Sequence, residues 1–469
     1  MRADVVVIGG GPAGMAAAAA AADAGLHVVL VDGNAAVGGQ YYRRRLDGTG
    51  SSGPPDRLAR VATHPKVTVV AHSWVWHAAR AGGRVQVYVG GPRADTVTAA
   101  AAVVATGSAE LALPFPGWTL PGVLTPGAAQ ALLKGHDLRV GRRVVVGGSG
   151  PFLLPVAAGL AGAGARIEAL VEATRPRSVL GAALPTLSHP ARIREAAGYL
   201  RRLARAGVRP RGGRVVIRCE GADRVEAAVV AEVDPEWRPI PGTERTIAAD
   251  AVCVSFGFAP ALDVSRNLGC RDVPHPARPT GAVWHDADQA TSVAGVFAAG
   301  EATGVGGAEI AELEGRLAGL SAARLLEAIS NRDHAAAVRP LRPALRRRRR
   351  FADLLDRLYP MRTGWLDWLD PETTFCRCEE VSWATVTSAA TGTATARAIR
   401  AITRCGMGYC QGRICGPALQ AALARDRGAA SPAVGDLQWR TVVTPTPLGV
   451  IAGAAVRPAA DSGRPDEPA

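Results

Sequence analysis

Five of the eight cysteines in this 469-residue chain fall within forty residues near its end. Cys376-Arg377-Cys378 comes first, and Cys405, Cys410 and Cys415 follow on a glycine-rich segment. Cys-x-Cys sets two thiols within reach of one centre, and Cys-x4-Cys brings a second pair round a tight turn. Four thiolates converging from two loops are what a [2Fe–2S] cluster requires. Zinc is the rival occupant, because a site of four thiolates holds it as well. Cys219, Cys253 and Cys270 are dispersed and show no disulfide spacing. Cys253 lies inside an apolar run, where core packing accounts for it.

The second constellation opens the chain. Asp4-Val-Val-Val-Ile8 reads as a buried strand and runs into Gly9-Gly10-Gly11-Pro12-Ala13-Gly14, a G-x-G-x-x-G. An alanine-rich helix follows to about Ala24, and His27–Val31 forms a second strand ending on Asp32. Gly9 permits the tight turn and Gly11 the close approach of a pyrophosphate. Gly14 lets helix and strand pack closely, while the helix N-terminus faces the phosphate charge. Asp32 is placed to accept hydrogen bonds from the ribose hydroxyls. These features, with the loop carrying Gly39 and Gln40, the strand ending in Ala105-Thr106-Gly107, and Ala299-Gly300-Glu301 late in the chain, resemble the two-dinucleotide-binding flavoproteins. That resemblance implies FAD at this first site, with the late acid on the ribityl chain. Glu301 is one methylene longer than the usual Asp. The segment from Gln40 onward carries no cysteine before Cys219, so no thiol pair can face a flavin there as in disulfide reductases.

A second βαβ unit starts at Arg142. Arg143–Val146 reads as a strand, Gly147-Gly148-Ser149-Gly150-Pro151 as the turn, Phe152–Ala163 as a helix, and Ala165–Val171 as a strand ending on Glu172. Leu153 stands where the third glycine belongs, which pushes helix and strand apart. Retention of the fold without the nicotinamide role is the favoured reading here, with NAD(P) or another nucleotide kept open. Arg211–Asp250 reads as an antiparallel sheet, and Asp250–Pro260 as the return to the first domain. The segment from Gly304 opens a helix to about Ser330, whose N-terminal dipole can face a flavin.

These elements predict an α/β fold. It comprises two Rossmann-like dinucleotide-binding domains of the FAD/NAD(P)-binding flavoprotein type and a small helical [2Fe–2S] domain. The boundaries expected are 1–118 with 246–335 for the discontinuous FAD domain and 119–245 for the inserted NAD(P)-like domain. A linker helix spans 336–370, the cluster domain 371–430 and a tail 431–469, disordered after Arg457. The formal charge of +13 would ordinarily suggest nucleic acid. Here Lys66 and Lys134 are the lysines and the rest of the excess is arginine, which reads as codon bias and not as a nucleic-acid site. The run Arg346–Arg350 is expected to be a solvated helix face toward an acidic partner. No signal peptide and no eighteen-residue apolar run appear, so no membrane span and a cytoplasmic location are expected. Nine scattered histidines form no motif, and no substrate acid–base apparatus is visible.

Gly38-Gly39-Gln40-Tyr41-Tyr42-Arg43, Gly150-Pro151, Cys376-Arg-Cys378-Glu-Glu-Val381 and Gly406-Met-Gly-Tyr-Cys410-Gln-Gly-Arg-Ile-Cys415-Gly together resemble one family. It comprises the large FAD and [2Fe–2S] subunits of opine oxidases, hydrogen cyanide synthase and dye-linked proline or hydroxyproline dehydrogenases. The resemblance runs from Val5 to about Leu419, and its last part is similar to bacterioferritin-associated ferredoxin. It implies a heteromeric flavoenzyme in which a separate FAD subunit oxidises the amine or imino-acid substrate. A small ferredoxin-like subunit often joins, and this chain relays electrons between flavin and cluster. A self-sufficient NAD(P)H-dependent flavin reductase is the alternative. Cys376 and Cys378 belong to any ligand set, and the second pair is Cys405 with Cys410 or Cys410 with Cys415. The latter is preferred because Cys415 leads into Gly416-Pro417 and a helix whose free N–H groups can face cluster sulfurs. The family pattern points the same way and leaves Cys405 as the spare.

Overall fold

The computed structural model describes residues 1–43, 53–93, 95–175, 189–275, 280–392, 395–426 and 440–454. The first sheet has the order Val67–Val70, Val28–Val31, Arg2–Ile8, Asp95–Val104, Arg84–Gly90, Trp74–Ala81, with Val296–Ala298 also paired to Asp95–Val104. Its first four strands run parallel, in registers such as Val5 opposite Val28 and Ala101, while the last two form antiparallel pairs. Val5, Val6 and Val7 are fully buried, as a run with both faces covered must be.

The helix Pro12–Asp23 is almost pure alanine for a packing reason. It is buried on every side, beneath the sheet and against the helix Ala308–Leu325. A Cβ on Gly315 would lie 2.0 Å from the Ala13 carbonyl oxygen, and one on Gly319 would lie 2.4 Å from that of Ala17. The two helix backbones therefore touch, and larger side chains on either helix would separate them.

The second sheet is Arg211–Gly212, Arg166–Glu172, Arg143–Gly148, Ala251–Ser255, Val123–Leu124. This corrects one expectation: Ala251–Ser255 does not return to the first domain but pairs in parallel with Arg143–Gly148. The return comes at Phe258–Pro260, which pairs with Ser108–Glu110. An apolar strand carries no local mark of which sheet takes it. The expected antiparallel unit is present as Arg214–Glu220, Ala227–Glu232 and Arg245–Ala248.

The C-terminal part begins with the helices Asn331–Val338 and Leu341–Leu358. A short hairpin, Thr374–Cys376 with Val381–Ser382, then leads to the helices Trp383–Gly392, Ala396–Thr403 and Cys415–Asp426. Tryptophans fasten this part to the second unit: Trp118 Nε1 donates to the Thr374 carbonyl at 2.6 Å, and Trp368 Nε1 to that of Trp237 at 2.8 Å. One continuous core holds Trp118, Trp237 and Phe256 together with Trp365, Phe375 and the thiols of Cys376, Cys405 and Cys415. The expected disorder after Arg457 lies outside the described residues. The part of the tail that is described runs back to the first sheet, where Val443 N donates to the Trp76 carbonyl at 2.7 Å.

The arginine run corrects a second expectation. Arg349 turns inward to buried Glu314 and Arg348 pairs with exposed Glu309, both on the helix Ala308–Leu325, so the run is only partly a solvated face. A charge run cannot announce acids that lie 35 or more residues away.

Candidate functional site: a dinucleotide cradle and a thiol pocket

The cradle is built as the glycines require. Gly9 has φ +104°, and a Cβ there would sit 2.3 Å from the Ala105 carbonyl oxygen. A Cβ on Gly14 would sit 1.8 Å from the Gly9 carbonyl oxygen, so no other residue fits. Gly11 faces open space, while a Cβ on Gly39 would approach the Gly11 Cα to 2.8 Å. Pro12 starts the helix, which has no side-chain cap and no acid in its first turn. Its N–H groups therefore point at a space that nothing among the described residues neutralises, and a pyrophosphate fits there.

Asp32 accepts from Gly10 N at 2.5 Å and from both Asn34 N and Nδ2, at 2.6 and 2.7 Å. A carboxylate has about four acceptor positions, which leaves one for a ribose hydroxyl. The G-x-G-x-x-G pattern does not single out Gly10, yet a Cβ on it would lie 2.5 Å from Asp32 Oδ2. The run of three consecutive glycines is the available signal. Gln40 accepts from Arg43, which also reaches Asn34. Thr106 donates its hydroxyl to the Ala261 carbonyl at 2.6 Å, and Gly107 turns with φ +76°.

The late acid is held by its own loop. Glu301 accepts from Ser108 Oγ at 2.9 Å and from Gly307 N at 2.8 Å, and so shapes the loop before the helix Ala308–Leu325. Gly300 N donates to buried Glu314 at 2.9 Å. Arg349 grips the same carboxylate and donates to the Gly304 carbonyl and to Thr303 Oγ1.

The second unit has the outline of the first but not its opening. Its helix starts at buried Leu153, two positions later than the equivalent of Pro12, after a turn in which Leu153 N and Leu154 N donate to the Gly150 and Pro151 carbonyls at 3.3 Å. Glu172 accepts from Gly150 N at 2.9 Å and Thr174 N at 3.0 Å, and burial pushes its carboxyl up to about 7. Tyr359 lies close enough to feel its charge, and Thr174 Oγ1 donates to the Leu358 carbonyl.

The thiol pocket brings all five clustered cysteines together. Cys376 and Cys415 lie 3.8 Å apart, Sγ to Sγ, and Cys405 completes a buried trio within 4.8 Å. Outside it, the Cys378 thiol faces the backbone N–H and thiol of Cys410. Cys378 is exposed and Cys410 half-buried. Hydrogen bonds from Cys405 and Cys415, with the N–H groups of Gly406 and Glu379, hold the Cys376 thiol down to about 2. Burial pushes Cys219 and Cys253 up to about 12 and Cys270 to about 11, which leaves them inert. Close backbone shapes the loop: a Cβ on Gly408 would lie 2.6 Å from that of Cys378, and Gly406 turns with φ +82°.

Residues 3–323 match the family of pyridine nucleotide-disulphide oxidoreductases. The chain is a flavin-dependent oxidoreductase of that family. It is 33% identical to an opine oxidase subunit of Agrobacterium tumefaciens (strain Ach5), across 96% of this chain and 91% of that one. Hydrogen cyanide synthase subunit HcnB of Pseudomonas protegens is 30% identical across 88% and 90%. The fold also matches a crystal structure of L-proline dehydrogenase from P. horikoshii. The TM-score is 0.66 at 18% identity, covering 96% of this chain and 79% of that one. The flavoprotein family and the glycine cradle agree on FAD. No described helix of this oxidoreductase is long and apolar enough to cross a membrane.

Proposed function

We propose that this chain is the electron-transferring large subunit of a heteromeric dehydrogenase or oxidase acting on an amine or imino acid of the opine, proline or hydroxyproline type. FAD is held by Gly9, Gly11, Pro12, Ala13, Gly14 and Asp32, with Gly39, Gln40, Thr106, Gly107, Gly300 and Glu301 closing the site. A [2Fe–2S] cluster is held by Cys376, Cys378, Cys410 and Cys415. The observation that supports this is the convergence of the clustered thiols: Cys376 and Cys415 lie 3.8 Å apart with Cys405 beside them, and the Cys378 thiol faces Cys410. Two thiolates for each of two irons is the requirement of that cluster.

When bound, FAD supplies two-electron chemistry and the cluster accepts single electrons. The chain's own residues have a limited task. The helix N-terminus at Pro12 holds phosphate charge, and Glu301 with Arg349 fixes the loop 300–307. The continuous tryptophan-rich core keeps the thiol pocket rigid and its inner pair dry. Ile402, Met407 and Tyr409 are exposed on the segment that carries the outer thiol of Cys410. That apolar rim is where an amine-oxidising FAD subunit or a small ferredoxin-like subunit would come within electron-transfer distance. The relatives' own description as subunits supports this reading.

The alternative is a self-sufficient NAD(P)H-dependent flavin reductase. Leu153 in the place of the third glycine, with the later start of its helix, favours the first reading. Anaerobic mixing with NADH and NADPH separates them: no flavin bleaching is expected within the mixing time, and rapid bleaching would overturn the proposal.

A further inference from the structure

A cavity of about 420 Å3 is lined by Gly9 and Asp32 of the cradle and, from the C-terminal part of the chain, by Gly412, Arg413 and Arg440. The loop from Cys410 to Cys415 therefore has two tasks. It carries two of the clustered thiols at its ends, and between them it forms part of the wall of a chamber that opens beside the cradle.

Asp263 ties this loop to the rest of the chain. Its Oδ2 accepts from Arg413 Nε at 3.0 Å, and its Oδ1 accepts from Arg440 Nη1. Each guanidinium also holds the loop backbone: Arg413 Nη1 donates to the Cys410 carbonyl at 3.1 Å, and Arg440 Nε to that of Gln411 at 2.8 Å. Gln411 sits at φ +52°, a left-handed conformation that is costly for a residue with a Cβ, so the loop needs support from outside. That support is anchored on the first sheet. Asn267, on the helix Asp263–Asn267, accepts from Ala78 N at 2.7 Å. The Val443 carbonyl accepts from Arg413 Nη2 at 2.5 Å, while Val443 N donates to Trp76. Asp263 and Arg440 are 18% and 10% exposed at their side chains, so salt and water screen their pairing little.

We propose that Asp263 is a positioning residue that couples the two redox sites: a 410–415 loop ordered around the cluster closes the chamber on the flavin, and the same loop without its cluster loosens it. The coupling follows from linkage. The loop is ligand segment and cavity wall at once, so whatever stabilises its ordered form at one site favours that form at the other. Asp263 carries the effect to the first sheet, because both guanidiniums that hold the loop converge on its carboxylate. This rests on the reading of Cys410 and Cys415 as cluster ligands and of the first βαβ unit as the FAD site.

The test measures how fast FAD leaves the full chain on dilution, by recovery of flavin fluorescence, with the cluster intact and after a chelator has removed the iron. Iron removal should speed release roughly tenfold in the parent chain. In Asp263→Asn one oxygen accepts and the amide group faces the second guanidinium, so neither arginine keeps a counter-charge. The loop is then loose with or without the cluster, and the ratio of the two rates should fall close to one. Asp263→Glu keeps both acceptors and should retain most of the ratio. A purely structural contribution of Asp263 would raise both rates and leave their ratio unchanged. Arg440→Gln cuts one of the two ties and should lower the ratio by itself; it decides the matter where Asp263→Asn retains no cofactor. Equal rates in the parent chain, or an unchanged ratio in the variants, would overturn the proposal. Iron, sulfide and FAD are counted beforehand. A parent chain that holds both groups and shows equal rates refutes the coupling alone, while one without iron or without FAD refutes the reading of the sites as well.

Discussion

Replacing Arg349 with methionine should cost this protein about 3 kcal/mol and loosen its hold on FAD. Glu314 is 1% exposed at its side chain and accepts from Arg349, from Gly300 N at 2.9 Å and from Thr303 Oγ1 at 2.7 Å. In Arg349→Met the two lesser bonds remain, and a buried carboxylate loses its counter-charge. Breaking a buried pair by removing one partner costs about 3–5 kcal/mol. Arg349 is 23% exposed, so water can reach the vacated end, which favours the lower figure. The loss should show as a lower urea midpoint in tryptophan fluorescence. Because Gly300 N and the Gly304 carbonyl belong to the segment that closes the cradle, flavin should also be released at a lower temperature than from the parent. Arg349→Met combined with Glu314→Leu should recover most of the stability, because no charge is then left unpaired. A loss below about 0.5 kcal/mol in Arg349→Met, the scale of an exposed pair, would show that the Arg349–Glu314 pair is not a buried one.

Other outcomes follow from single groups. Glu172 is pushed up to about 7 from an ordinary 4.5, so the folded state holds a proton that the unfolded state has released. Stability should therefore fall as pH rises from about 4.5 through 7, by roughly 2–3 kcal/mol at 1.36 kcal/mol per unit. Glu172→Gln should flatten that profile in urea titrations at pH 5 and 8. Gly14→Ala, whose Cβ would lie 1.8 Å from the Gly9 carbonyl oxygen, should lower the flavin content of purified protein several-fold. Cys405→Ser should keep the visible absorbance of the cluster, while Cys376→Ser should abolish it; loss of absorbance in Cys405→Ser would overturn the ligand set.

What the sequence makes legible is what it writes locally. Gly9, Gly11 and Gly14 recur at fixed steps between a β-branched run and an alanine helix, and the steric contacts of the fold are those the pattern implies. Leu153 likewise departs from the glycine pattern, and the helix of the second unit starts there, two positions later than that of the first. Contacts between distant segments are not written this way. The pairing of Arg349 with Glu314 spans 35 residues, and that of Arg440 with Asp263 spans 177. Neither could be read from a charge run or from a tail of mixed composition. The same limit applies to Ala251–Ser255, whose apolar strand would suit either sheet. Cys405 is the instructive middle case: spacing leaves it open as a ligand, the family resemblance sets it aside, and packing places it beside Cys376 and Cys415.

We propose that this one chain holds both a flavin and a two-iron cluster. Iron, sulfide and FAD should therefore be quantified on the purified chain, alongside its electron paramagnetic resonance spectrum after dithionite reduction. Two irons and two sulfides per FAD are expected, with a spin-one-half signal that disappears in Cys378→Ser combined with Cys410→Ser. One zinc per chain, with no absorbance beyond the flavin and no such signal, would contradict the account.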